Sequence, residues 1–123
     1  LWILGKTWLK KQPIFPKQFV TRATDVPVGG AKLFHYPTEA DPCILVRTTE
    51  ENFFAYSQKC THLSCPVHFS ATTKRLECPC HEGSFSVETG AVIKGPPPRP
   101  LPRIVLEQQN GLLLAIGIET ANE

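Results

Sequence analysis

The chain has 123 residues, 41% of them hydrophobic, and a formal net charge of +2. This length suits one domain with a modest core. Three of the 13 basic side chains fall within residues 1–12, which contain no acid, so the rest of the chain holds ten basic and eleven acidic residues. A body so close to neutral lacks the clustered positive charge that binds phosphate backbones, and we expect no nucleic acid among its partners.

The first twelve residues, LWILGKTWLKKQ, combine apolar side chains and two Trp with three Lys. A bilayer-spanning helix takes about 20 apolar residues, so this segment cannot span by itself. We interpret residues 1–12 as the end of a membrane anchor or an N-terminal tail, with Trp2 and Trp8 near the headgroups. The alternative is an amphipathic segment that packs on the domain or on a partner.

From residue 13 onward the sequence reads as strands and turns. QFVTRAT alternates, PVGG forms a turn, and AKLFHY follows. CILVRTT and NFFAYSQ form a predicted hairpin around Glu50 and Glu51, and RIVLEQQ and LLLAIGIE form a second around Asn110 and Gly111. We therefore predict an all-β domain over residues 13–123, with these strands in one sheet-based body.

Residues from about 58 to 98 differ from the rest, being rich in Cys, His, Gly and Pro with only short apolar runs. Such a segment cannot build a core from its own side chains. We expect a metal or a disulfide to hold it together.

Two motifs in this segment carry candidate metal ligands. CTHLSC and CPCH read C-x-H-x-x-C, twelve residues, then C-x-C-H. If one cysteine of each motif pairs with the other, two Cys and two His remain as ligands. From the residues alone, a structural zinc ion on Cys60, His62, Cys78 and His81 stays open as an alternative, because two thiolates and two imidazoles satisfy its tetrahedral preference.

The two motifs resemble those of the Rieske proteins of cytochrome bc-type quinol oxidoreductases and their soluble relatives, and GPPPRPLP resembles the proline-rich loop of that family. The resemblance implies a Rieske-type antiparallel β-sandwich with a small cluster-binding subdomain, about residues 58–98, inserted in the base sheets. It also implies a 2Fe-2S cluster with Cys60 and Cys78 on one iron. The other iron is then bound by His62 and His81.

The same resemblance implies a disulfide between Cys65 and Cys80. A stable disulfide indicates an oxidising compartment, so we expect the domain on the periplasmic, outer side of a membrane, with a soluble periplasmic protein as the alternative. It also separates the chain from the Rieske branch of ring-hydroxylating oxygenases, whose pattern lacks these two cysteines.

Residues around the ligands are expected to shield and tune the cluster. Leu63, Pro79 and Pro97 are the candidate shielding residues, since proline covers a site stiffly. In high-potential members the second motif continues C-P-C-H-G-S-x-Y, whereas this chain reads CPCHEGSFS. Gly83 takes the serine position, Ser84 comes one residue late, and Phe85 replaces the tyrosine. We therefore expect a midpoint potential below that of the Ser/Tyr-bearing members.

The function implied is electron transfer as the iron–sulfur subunit of a membrane quinol oxidoreductase, from quinol to a c-type haem beside cytochrome b and c subunits. His81, with His62 second, is the candidate contact for the quinol or the partner. We expect no independent catalytic site in this chain. The alternative is a small Rieske subunit or standalone carrier of another oxidoreductase, such as a molybdenum-containing oxidase, without quinol chemistry.

The remaining candidate side chains are predicted to be structural. Cys43 is expected to be a buried small residue. His35 and His68 have no second ligand nearby in the sequence, and we place His68 in the loop between the motifs. Arg99 and Arg103 are predicted to be surface charges.

Overall fold

The computed structural model describes residues 15–59, 66–79, 83–95 and 100–119. These ranges contain one short 3-10 turn, Ala23–Asp25, and strands that all pair antiparallel. The strands are β1 Gln18–Arg22, β2 Ala31–His35, β3 Pro42–Arg47, β4 Phe53–Ser57, β5 His68–Ser70, β6 Arg75–Cys78, β7 Gly83–Phe85, β8 Val92–Lys94, β9 Arg103–Gln109 and β10 Leu112–Glu119. The all-β prediction is confirmed. Within the described ranges no helix has the length and hydropathy needed to cross a membrane.

The larger sheet contains six strands in the order β1-β10-β9-β4-β3-β2. Both predicted hairpins and both early strands lie in it, as the sequence indicated. Residues 48–52 connect β3 to β4, closed by a hydrogen bond from Thr48 N to Asn52 O at 3.0 Å. The β9–β10 turn has positive φ at both Asn110 (51°) and Gly111 (80°), which is the geometry that makes Asn-Gly a strong hairpin signal.

The six-stranded sheet is rolled, so that its two edge strands are linked by side chains. Gln18 Nε2 of β1 donates to His35 O of β2 at 2.7 Å, and Tyr36 OH donates to Pro16 O at 2.6 Å. The concave face encloses a cluster that we call the base core: Val20, Val26, Phe34, Tyr36, Cys43, Leu45, Ala55, Ile104, Leu113 and Ala115.

Strand β3 is buried on both faces, which is why CILV reads as a continuous apolar run rather than an alternating one. Cys43 and Leu45 point into the base core, whereas Ile44 and Val46 belong to a second cluster on the other face. Burying each of these aliphatic side chains contributes roughly 1.5–3 kcal/mol. The central strand therefore serves two cores at once.

The smaller sheet contains four short strands in the order β5-β6-β7-β8. It packs on the convex face of the larger sheet through a cluster that we call the inter-sheet core: Ile44, Val46, Tyr56, Val67, Leu76, Cys78, Phe85, Val87 and Leu101. The segment expected to depend on a metal or a disulfide thus also has an apolar core, which it shares with β3 and β4. His68 begins β5 and does not lie in a loop.

The close packing of Gly90 on Tyr56 generates a stability prediction. A Cβ at Gly90 would lie 2.8 Å from Tyr56 Cε1, and the φ of Gly90 is 79°. Positive φ costs an alanine about 1 kcal/mol and overpacking adds roughly 1–3 kcal/mol, so we expect Gly90→Ala to lower the free energy of unfolding by about 3 kcal/mol.

The matched control is Gly111→Ala, which has a φ of 80° and nothing within 4 Å of its Cβ position. It should lose only the backbone contribution, about 1 kcal/mol. Urea unfolding of the two variants measures both values. Equal losses would show that Tyr56 moves aside without cost.

Candidate metal centre

The register of the four-stranded sheet brings three connections to one of its ends. Strands β6 and β8 end there at Cys78 and Lys94, and β5 and β7 begin there at His68 and Gly83. At this end the chain leaves residues 60–65 for β5, passes through residues 80–82 between β6 and β7, and enters residues 96–99 from β8. The first two of these stretches belong to the two cysteine–histidine motifs, and the third to the proline-rich stretch.

Seven of the predicted site residues lie outside the described residues: Cys60, His62, Leu63, Cys65, Cys80, His81 and Pro97. The same holds for residues 1–12 and for Arg99. The ligand set, the disulfide and the anchor therefore stay predictions. The described part of the site consists of the residues from which the motifs extend, together with Cys78, Pro79, Gly83, Ser84 and Phe85.

The start and end of each motif are held by backbone pairing. Lys59 and Pro66 form a bridge, and Val67 N donates to Gln58 O at 2.8 Å while the Gln58 side chain donates to Val67 O at 3.0 Å. In the second motif Cys78 pairs directly with Gly83. The described residues at the two ends of each motif are thus paired with each other.

The register also places the two motifs side by side. His68 of β5 pairs with Glu77 of β6, so Val67 and Cys78 follow next to this pair at the same end of the ladder. Both are buried in the inter-sheet core, with exposed fractions of 0% and 1%. A backbone arrangement of this kind can present ligands from two distant motifs to one metal group.

Cys78 fits the metal-binding role assigned to it. Its thiol is free rather than disulfide-bonded, and it is buried at the last residue of a strand. A buried free thiol at this position is compatible with an iron–sulfur group bound at this end of the sheet.

The residues after the second motif alternate between the two faces of β7. Gly83 pairs with Cys78 and Ser84 pairs with Glu77, and residues directly opposite each other point to the same face. Ser84 therefore projects from the face opposite to that of Cys78. Phe85 is fully buried in the inter-sheet core. The position occupied by serine in the family pattern is filled here by a residue with no side chain.

Arg103 is not a simple surface charge, and that prediction is wrong. It is half-buried, and its guanidinium donates to Glu88 O at 2.6 Å and lies 5.8 Å from the centre of the Tyr56 ring. The Tyr56 hydroxyl donates to Val87 O at 2.8 Å. These bonds attach the start of β9 to both sheets, because Glu88 and Val87 follow β7 whereas Tyr56 belongs to β4. No local sequence signal announces a contact between residues so far apart.

Two further hydrogen bonds at this junction hold the chain just before the first motif and just after the proline-rich residues 96–99. Ser57 N donates to Pro102 O at 3.0 Å, and Leu101 N donates to Gly90 O at 3.0 Å. Ser57 lies three residues before the first motif, and Leu101 lies two residues after residue 99. Because Leu101 and Pro102 are adjacent, the chain before the first motif and the chain after residue 99 are held at the same place.

Other candidate ligands do not form a second site. Cys43 is buried as predicted, with its thiol 3.4 Å from Tyr36 O, and burial raises its pKa to about 11, so it stays a neutral thiol near pH 7. His35 and His68 are exposed, and His68 Nε2 lies 3.8 Å from Glu77 Oε1. The described ranges contain no group of three or more Cys, His, Asp or Glu placed to bind a metal.

Comparison with known proteins identifies the fold and the motifs together. The Rieske [2Fe-2S] domain family matches residues 17–107. The cytochrome b6-f complex iron-sulfur subunit of Chlorobaculum tepidum is 31% identical over 105 residues, covering 85% of this chain and 56% of that protein. The carotenoid phi-ring synthase of the same organism is 37% identical over 93 residues, covering 76% of this chain and 14% of that protein.

Among solved structures, the plasma membrane Rieske protein of Synechocystis PCC 6803 superimposes with a TM-score of 0.70 at 26% identity, covering 80% of this chain and 98% of that one. The chain spans little more than half of the cytochrome b6-f subunit and a seventh of the carotenoid enzyme. The similarity therefore concerns one domain.

Proposed function

The chain belongs to the Rieske [2Fe-2S] domain family, and from that premise we propose that it transfers electrons as the iron–sulfur subunit of a membrane quinol oxidoreductase of the cytochrome bc type, from quinol to a c-type haem. The observation that carries the proposal is the common end of the four-stranded sheet, where both motifs and the proline-rich stretch are connected. Relatives at 31–38% identity that are iron–sulfur subunits of cytochrome b6-f and bc1 complexes support it.

We assign Cys60 and Cys78 to one iron and His62 and His81 to the other, with Cys65 and Cys80 as a disulfide between the two loops. The buried free thiol of Cys78 supports its assignment. When bound, such a cluster accepts one electron at roughly −150 to +300 mV, against about −400 mV for four-thiolate ferredoxins, because neutral imidazoles replace two thiolates.

The protein contributes position and proton chemistry. The paired strands hold the ends of both motif loops, so the ligands can be presented without large rearrangement. The ring nitrogen of His81 or His62 that does not bind iron can hold or release a proton, which suits contact with a quinol. We assign His81 first to this contact and His62 second.

We also propose that the domain lies on the outer, periplasmic side of a membrane, attached through residues 1–12. A second candidate function is a carrier domain within another oxidoreductase, without quinol chemistry. The match to a stretch of a carotenoid phi-ring synthase favours keeping it, since that protein is far longer than this domain.

Purification of the native complex from membranes tests the proposal. We expect b- and c-type cytochromes to copurify with the chain, and a quinol to reduce its cluster, as followed by electron paramagnetic resonance of the reduced form. Copurification with a different catalytic subunit, together with a cluster that quinol fails to reduce, would favour the carrier function.

A pair of cysteine variants tests the assignment of Cys78. Cys78→Ala should abolish the visible absorption of the cluster, because a thiolate ligand is lost. Cys43→Ala removes an equally buried free thiol from the base core and should leave that absorption unchanged. If Cys78→Ala retained the native spectrum and iron content, the proposed ligand set would be wrong.

Phe85→Tyr tests the inference about the midpoint potential. We expect the new hydroxyl to raise the potential measured by protein-film voltammetry, since a donor to a cluster sulfur stabilises the reduced state. Phe53→Tyr, on the base-core side of β4, is the control and should not change it. A hydroxyl that finds no acceptor in the inter-sheet core would instead cost about 1–3 kcal/mol of stability with no change in potential.

A further inference from the structure

The outer face of the four-stranded sheet carries a cavity that the proposed electron-transfer function does not use. Its volume is about 390 Å³, and its lining includes Ser84, Lys94 and Arg75. Cys78, Pro79 and Gly83 also line it. The cavity therefore borders the second motif.

A row of polar side chains crosses this face in direct register. His68 pairs with Glu77, Glu77 pairs with Ser84, and Ser84 pairs with Lys94, one residue from each of the four strands. Side chains directly opposite each other in neighbouring strands have their Cβ atoms about 4.5–5.5 Å apart. A small ligand in the cavity can thus reach several of them at once.

Ser84 is the strongest indication that the cavity binds something. It is only 5% exposed, and its hydroxyl has no hydrogen-bond partner in the described part of the chain. Leaving a buried hydroxyl unpaired costs about 1–3 kcal/mol, so a polar group is expected to complete it. The charges of the other side chains that line the cavity indicate which kind of polar group this is.

The charges around Ser84 favour an anionic ligand. Lys94 and Arg75 supply cationic hydrogen-bond donors, and neither side chain has an acceptor. The one carboxylate, Glu77, accepts a hydrogen bond from Thr73 Oγ1 on Oε2 at 2.7 Å, whereas its Oε1 lies 3.8 Å from His68 Nε2, beyond hydrogen-bond distance. The donors left available at the cavity are a hydroxyl, an ammonium and a guanidinium.

We propose that this cavity binds a small oxyanion, a carboxylate or a phosphate, held by the Ser84 hydroxyl, Lys94 and Arg75. The ligand is either a free anion or the carboxylate of an acidic side chain on a partner protein. Because the cavity adjoins the loop that begins at Cys78, its occupancy is coupled to the oxidation state of the bound cluster.

The coupling has a defined sign. With a cluster held by Cys78, which lines the cavity, reduction would add a negative charge on this side of the sheet. The oxidised protein would then bind the oxyanion more tightly, and the anion would lower the midpoint potential by the matching amount. A threefold ratio of the two Kd values corresponds to about 28 mV, at 59 mV per tenfold for one electron.

Calorimetric titration of the cluster-loaded protein with inorganic phosphate, and separately with acetate, tests the binding. We expect saturable binding at constant ionic strength. Lys94→Gln should weaken it about tenfold, since a charge-assisted hydrogen bond contributes more than the 1.4 kcal/mol that a factor of ten represents. Lys32→Gln makes the same charge change on β2 of the other sheet and should leave the Kd unchanged.

The two titrations distinguish a free anion from a side-chain carboxylate, and other results would contradict the proposal. Saturation by phosphate indicates a free anion, and saturation by acetate alone indicates a side-chain carboxylate. No saturable heat with either anion, or equal weakening by Lys94→Gln and Lys32→Gln, would overturn the proposal. So would a shift in potential that chloride reproduces at the same ionic strength. None of these readouts needs quinol or a cytochrome, so failure here leaves the proposed electron-transfer function standing.

Discussion

Burial of β3 on both faces is the constraint on which the rest of the domain depends. Leu45 contributes to the base core and its neighbours Ile44 and Val46 to the inter-sheet core, so one strand anchors two sheets back to back. The smaller sheet consists of strands of three or four residues, too short to be stable alone. Its position is set by the apolar surface that β3 and β4 offer.

The junction around Tyr56 joins the two sheets near the described ends of the motifs. Tyr56 is fully buried, its hydroxyl donates to Val87 O, and Gly90 packs against its ring. Arg103 adds a bond to Glu88 O from the start of β9. Tyr56 lies four residues before the first motif and Arg103 four residues after residue 99, so these contacts hold the chain close to both stretches, as precise positioning of ligands requires.

Consecutive residues of β7 project from opposite faces of the four-stranded sheet and have different neighbours there. Gly83 and Phe85 share the face of Cys78 and offer no hydroxyl to it, whereas Ser84 shares the opposite face with Glu77 and Lys94. A serine that comes one position later in the motif projects from the opposite face of the strand, because side chains alternate with a period of two. The proposed redox tuning and the proposed anion binding therefore concern adjacent residues of one strand.

By itself the sequence determined what depends on local pattern: the two hairpins, the Asn110–Gly111 turn, the all-β class, and motifs whose spacing identifies the family. It did not reveal β5 to β8, because three-residue strands carry too little periodicity, and so it placed His68 in a loop. Tertiary structure alone decided that Arg103 bonds to Glu88 O and that Ser84 turns away from Cys78. Both facts depend on which strand lies opposite, a register set by packing between residues distant in the chain.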